Sequence, residues 1–332
     1  MINQTTNSRK IVGLVHEYVN NITMLPPMHD FVDSVGPVIF HGQPLAELRN
    51  RQIVSNVDAL LDFRFDADPT ARQIFGNKYY RYRKPSKMTQ HFKILEFNGV
   101  HTGYTVNTPR QFVSWSKGLS DHAHPLSDFG ILDCANVVIK PQYGARGSNH
   151  IVVPSHMVQT LLKHVTKQTG AELQKTYPDI IVSRGSVEDE PIFAKFDDMV
   201  ITEKLEHVLQ EWRLLFSAGK IYCREREITP GEYSQSNLCV DVVRNIAEVT
   251  YTPLEETNFP QDLRDYLIGL VKFIKLPFGS IDLYLTAEGE YGIFEYSEQF
   301  GFHGANHKFI RQLHLDGIEQ ILIKLFQGEQ NA

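Results

Sequence analysis

The chain reads as α/β, with a small N-terminal α/β unit leading into α+β units in which paired strands alternate with amphipathic helices. Three observations predict this. β-Branched runs such as Lys10-Ile11-Val12 and Val137-Val138-Ile139 are bounded by glycine or proline, as strands are. Two stretches near the C-terminal end carry alternating residues on either side of a two-residue turn, Ala218-Gly219 and Glu288-Gly289, and so read as hairpins. Apolar residues of Gln261–Phe273 recur at helical spacing, which predicts an amphipathic helix packed on the apolar side of those hairpins.

Composition narrows the class. The 332 residues, 42% hydrophobic and 22% charged, suffice for two or three compact units, each with its own core. A formal net charge of -6 gives no support to general nucleic-acid binding. No apolar run approaches the roughly twenty residues that span a bilayer, and the first residues lack the pattern of a signal peptide, so the expected location is the cytoplasm. Cys134, Cys223 and Cys239 are widely separated and odd in number, which indicates neither a disulfide framework nor a CxxC metal site.

Along the first 85 or so residues, Lys10–Val15, Pro37-Val38-Ile39-Phe40 and Ala59–Phe63 read as strands of the N-terminal α/β unit. No Gly-x-Gly-x-x-Gly follows the first strand, so a dinucleotide fingerprint is absent. The basic and aromatic stretch Asn77–Lys87 reads as a linker rimming a site. Ser86 then caps a helix that runs to Asn98-Gly99. Asn136–Pro141 and Ile151–Pro154 are strands flanking a loop, Gly144-Ala145-Arg146-Gly147-Ser148, whose glycines let backbone amides turn toward an anion. Met157–Lys167 is helical by period, Pro178–Ser183 and Met199–Leu205 are strands, and a helix from about Asn306 to Phe326 closes the chain. His122, His124, His303 and His307 have no third ligand at telling spacing and read as solvated rather than as a zinc site.

The hairpins carry the chemistry. Counting from Glu288-Gly289 sets Asp282 opposite Glu295 and Ser280 opposite Ser297 on one face, with Ile281, Leu283, Phe294 and Tyr296 on the other. Counting from Ala218-Gly219 sets Arg213 opposite Arg224 and Glu211 opposite Arg226, with Trp212, Leu214, Phe216, Ile221 and Cys223 behind. Like charges directly across a ladder are destabilising. A hard cation between the carboxylates, and an anion such as phosphate between the arginines, would relieve both clashes. Together the hairpins read as a seat for a metal-nucleotide complex.

With Lys140, the glycine loop, Glu203, Glu211, Asp282 and Glu295 in this order, the chain resembles the ATP-grasp superfamily of carboxylate-amine ligases over roughly residues 85 to 305. The resemblance implies an N-terminal domain over 1–85, a linker helix and small ATP-grasp subdomain over 86–202, and a large subdomain over 203–332. It implies that Lys87 and Lys140 contact nucleotide phosphates, with Gly144, Arg146, Gly147 and Ser148 folding over them. Glu203, Lys204 and Leu205 match the hinge strand whose backbone faces adenine, and Glu211 the ribose-binding acid. Asp282, Glu295 and Ser297 reproduce the metal spacing for Mg2+, with Mn2+ as an alternative occupant. Ser297 stands where the family has asparagine and Ser280 where many members have arginine. Serine is the weaker ligand, with Glu298 a substitute, and oxyanion stabilisation falls to Arg213 or Arg224. The loop and the Glu-x-Arg hairpin look closer to amino-acid and peptide ligases, including tubulin-tyrosine-ligase-like members, than to biotin carboxylases.

The expected activity is ATP-dependent joining of a small-molecule or peptide carboxylate to an amine through an acyl phosphate, releasing ADP. Two rival readings stay open: a phosphotransferase of the same fold, and a nucleotide-binding regulatory or structural protein with impaired catalysis.

Overall fold

The computed structural model describes residues 10–15, 32–37, 59–62, 72–73, 76–81, 85–116, 133–142, 150–162, 168–182, 198–205, 207–226, 250–297 and 308–327. Strands β1 (Lys10–Val15), β2 (Val32–Pro37), β3 (Ala59–Asp62) and β4 (Tyr79–Arg81) form a four-stranded parallel sheet in the order β2-β1-β3-β4. The described strand Val32–Pro37 includes Pro37, and Val38-Ile39-Phe40 of the expected strand lie outside the described residues. One expectation is corrected here. Tyr79–Arg81, expected as a linker, pairs with Leu60–Asp62, because tyrosine suits a pleated edge and arginine keeps that edge polar.

Helix α1 (Lys87–Val100) begins at Ser86, whose Oγ accepts from the Thr89 amide. It runs through Gly99 rather than ending there. Strands β5 (Gln111–Ser116), β6 (Asn136–Pro141), β7 (Ile151–Pro154), β8 (Ile181–Val182) and β9 (Asp198–Glu203) form an antiparallel sheet in the order β5-β9-β6-β7-β8. One face carries Val137, Ile139, Ile151, Val153, Met199 and Ile201. That face is sealed by helices α2 (Val158–Leu162) and α3 (Gly170–Thr176) through Leu161 and Leu173. By alternation, Val138, Lys140, Val200 and Thr202 occupy the opposite face. The strand expected from Met199 lies inside this sheet, between β5 and β6.

Strands β10 (Val208–Ser217), β11 (Lys220–Arg226), β12 (Thr252–Pro253), β13 (Phe278–Thr286) and β14 (Tyr291–Ser297) form the third sheet, ordered β12-β11-β10-β13-β14. Helix α4 (Gln261–Ile274) packs Leu263, Leu267 and Leu270 against Leu214, Phe216, Ile281 and Leu283. Ile94 and Phe97 of α1 enter the same core. Helix α5 (Lys308–Gln327) lies across the other face at its far end, where Ser217 Oγ donates to the Leu313 carbonyl at 2.6 Å.

Both expected charge registers occur, Arg213 opposite Arg224 and Asp282 opposite Glu295. The first follows from a two-residue turn with positive φ at Ala218 (49°) and Gly219 (79°), the geometry that matches strand twist. The second has a different origin from the expected one. The β13–β14 connection is three residues long, closed by the Gly289 amide on the Thr286 carbonyl at 3.0 Å, with Gly289 at φ 83°. A bulge at Phe294 then restores the register, since Asp282 pairs with Glu295 while Leu283 pairs with Ile293. The two one-residue departures cancel at Asp282. They also move Phe294 off the apolar face and onto the Tyr284 ring, 4.4 Å between centroids, while Ile293 takes the core position expected for it.

Ala218 adopts a left-handed backbone that costs an L-residue roughly 1–2 kcal/mol. Ala218→Gly should raise stability by roughly 0.5–1 kcal/mol after the added unfolded-state entropy is deducted, read as a higher urea midpoint at unchanged slope.

Candidate active site

The site is a row of charges across the third sheet. Register places Arg224 of β11, Arg213 of β10, Asp282 of β13 and Glu295 of β14 side by side. Because β10 and β13 are neighbours, the inner arginine and the inner aspartate meet. Arg213 Nε donates to Asp282 Oδ1 at 2.9 Å and its terminal nitrogen to Oδ2 at 3.1 Å, a two-point clasp. This corrects the premise drawn from the sequence, in which each like-charged pair needed a bound ion between its members. The hairpins neutralise each other instead, and Asp282 sits with its side chain 5% exposed against a guanidinium.

Glu295 receives a cation from outside the sheet. Lys87, in the first turn of α1, reaches it with Nζ 2.6 Å from Oε2. The helix arrives there because Ile94 and Phe97 anchor it in the core, the Phe97 ring meeting Tyr266 edge-on, and Tyr266 Oη donates to Asn98 at 2.7 Å. Lys140, buried on the opposite sheet, completes the group. Burial, with nearby Lys87 acting in the same direction and Glu295 and Asp282 opposing, lowers its pKa to about 8. His91, one turn after Lys87, has its pKa lowered by burial and by Lys140, and its Nδ1 lies 2.7 Å from Thr108 Oγ1.

One pleat along the sheet from Arg213 and Asp282, buried Glu211 faces Tyr284 across the ladder. Burial raises the Tyr284 phenol, and Glu203 and Glu290 raise it further, so Glu203 of the small sheet lies within electrostatic reach of the large one. The Glu203 carboxylate is held by Arg110, whose Nε donates at 3.2 Å. Lys204 and Leu205 follow directly, the Lys204 amide donating to the Asn136 carbonyl at 3.2 Å. Ser297 pairs with Ser280 at the next position along the hairpin from Asp282 and Glu295.

Lys87, Lys140, Arg213, Asp282 and Glu295 are thus brought together, with Arg224 and Ser297 adjacent on the sheet and Glu203 and Glu211 toward the hinge end. Gly144, Arg146, Gly147 and Ser148 lie outside the described residues, as do Glu298 and all four histidines read as solvated. Arg110, His91 and Gln142 escaped the reading. His91 carried a usable signal, its four-residue spacing from Lys87 on one helix face. Arg110 and Gln142 act on partners distant in sequence and carried none.

Two opposed carboxylates with flanking hydroxyls, Ser280 and Ser297, form an all-oxygen donor set of the kind Mg2+ takes when phosphate oxygens supply the remaining positions. No group of three His, Cys, Asp or Glu side chains suited to a metal occurs among the described residues. Lys87, Lys140 and Arg224 suit a polyphosphate. Among the described residues no helix is long and apolar enough to cross a membrane.

No protein-family model matches the sequence, and no curated protein matches it. Solved structures do. D-Alanine–D-alanine ligase from Bacillus anthracis complexed with ATP is similar over 97% of this chain and 99% of its own, with a TM-score of 0.52 and 11% identity. N5-carboxyaminoimidazole synthetase from Staphylococcus aureus complexed with ADP matches 93% of this chain and 77% of its own, at TM-score 0.52 and 10% identity. VanG D-Ala:D-Ser ligase from Enterococcus faecalis matches 96% and 99%, at TM-score 0.50 and 11% identity. The chain adopts the ATP-grasp fold.

Arg213→Ala would leave Asp282 buried without its two-point partner and should cost about 3 kcal/mol in urea unfolding. Removing both in Arg213→Ala/Asp282→Ala should cost less than the sum of the two single changes; a double cost equal to that sum would show that the clasp contributes nothing.

Proposed function

We propose that the chain binds ATP between its second and third sheets and uses it to join a carboxylate to an amine. One observation carries this reading: Lys87 from a helix, Lys140 from the small sheet, and Arg213, Asp282 and Glu295 from the large sheet converge on one point within an ATP-grasp fold. Lys87, Lys140, Arg213 and Arg224 are side chains of the kind that suit a polyphosphate anion.

Lys140 and Lys87 would hold phosphate oxygens, and Lys87 can exchange Glu295 for phosphate with little movement of its first-turn backbone. Asp282 and Glu295 would hold Mg2+, which when bound draws charge from the β- and γ-phosphates. Arg224, beside the clasped Arg213, would stabilise charge on the transferring phosphoryl group and on the tetrahedral adduct. The carboxylate oxygen takes the γ-phosphoryl group as ADP leaves; the amine then attacks the acyl carbon, and phosphate and a proton depart. Such chemistry rests on positioning and charge neutralisation, so no strong protein base is required.

A second reading, nucleotide binding without turnover, is favoured by one feature. Both carboxylates already carry protein cations, at 2.6 Å for Glu295 and 2.9 Å for Asp282. A screen of amino acids, dipeptides and small diacids for ADP release separates the two. Release that requires both a carboxylate and an amine supports ligation; tight ATP binding with no substrate-dependent release supports the second.

For the ligase, Asp282→Asn and Glu295→Gln should each lower ADP release at least about a hundredfold under conditions where urea unfolding shows the variant to be folded. Undiminished turnover in either would refute the metal assignment.

The Lys140 amine supplies a pH signature. In the free protein it titrates near 8 and is charged below that. A bound polyphosphate favours the charged form, so binding above pH 8 takes up a proton. Affinity for ATP should hold below pH 8 and then fall by up to about tenfold per pH unit, and Lys140→Met should abolish the slope.

A further inference from the structure

We propose that Gln142 is a positioning residue that clamps the first turn of α1 to the end of β6, holding Lys87 and Lys140 on one target; its functional consequence rests on the nucleotide reading above. The first amides of a helix have no partner within it. In α1, Ser86 satisfies one of them, the Thr89 amide, from within the local chain. The two before it go elsewhere. The Lys87 amide donates to the Gln142 backbone carbonyl at 3.2 Å, and the Met88 amide to Gln142 Oε1 at 3.3 Å.

Gln142 therefore acts as a second cap supplied from 54 residues away. It lies two residues beyond Lys140 in the chain and is itself 3% exposed. Its main-chain and side-chain oxygens grip consecutive amides, which restricts both sliding and tilting of the helix end. One of those amides belongs to Lys87. The backbone of one proposed phosphate-binding lysine is thus bonded to a residue almost adjacent to the other. A local cap could stabilise the helix as well, but it would leave the distance between the two lysines free. A neutral acceptor also adds no charge beside them.

The test compares three variants. Gln142→Met keeps the shape and removes the acceptor, Gln142→Glu keeps an acceptor, and Ser86→Ala weakens the same helix end from its own side. Amide hydrogen exchange at Met88 and ATP affinity by calorimetric titration are measured for each. Gln142→Met should speed Met88 exchange at least about tenfold and weaken ATP binding about tenfold. Gln142→Glu should keep Met88 protected. Ser86→Ala should release Thr89 yet leave ATP affinity within about twofold of the unsubstituted protein. Unchanged Met88 exchange in Gln142→Met, or equal loss of ATP affinity in Gln142→Met and Ser86→Ala, would overturn the positioning role. Failure of the unsubstituted protein to bind ATP, with Met88 still released in Gln142→Met, would sink the nucleotide reading while leaving the clamp supported.

Discussion

A buried carboxylate is costly unless a cation meets it, and in this fold that condition falls on Asp282, which Arg213 meets across the junction of β10 and β13. The pairing joins two hairpins that are not consecutive in sequence, because the strand order β11-β10-β13-β14 brings the inner strand of each to the middle. The rest of the charge arrangement follows from that junction. Asp282 is satisfied inside the sheet, and the outer Glu295 receives a cation from another element. Helix α1 supplies it.

That helix belongs to two environments at once. Its middle turns enter the apolar core under the large sheet, where Phe97 packs on Tyr266 and Phe273. Its first turn is bonded to Gln142 at the end of β6. The segment after the helix continues the attachment: Asn107 exchanges backbone hydrogen bonds with Tyr291 and Ile293 on the outer edge of β14, covering a strand edge that would otherwise be unpaired. Lys87 is therefore positioned by packing at one end and hydrogen bonding at the other. The convergence of charges is a property of how three elements dock, with no single motif responsible for it.

Legibility in the sequence varied with range. The Arg213/Arg224 register was readable because a two-residue turn and period-two alternation determine it within 16 residues of chain. The Asp282/Glu295 register was also read correctly, although by a route the structure does not follow: a longer turn and the Phe294 bulge offset each other. Neither departure has a composition signal strong enough to read alone, and the misassigned Phe294 is their visible trace. The strand Gln111–Ser116 and the short helix Gly170–Thr176 were not anticipated, the first because its polar residues break alternation and the second because seven residues carry little periodicity. Tyr79–Arg81 was masked by its charge.

The amino-acid order alone determined which residues are charged, which hairpin partners oppose, and which helix face is apolar, since each of these depends on neighbours a few positions apart and on the geometry of one turn. Tertiary structure decided that β10 lies against β13, that Lys87 reaches Glu295, and that Gln142 accepts from the Lys87 and Met88 amides. Contacts between distant segments depend on closing long loops and on the competing ways sheets can stack, and no local pattern carries that choice.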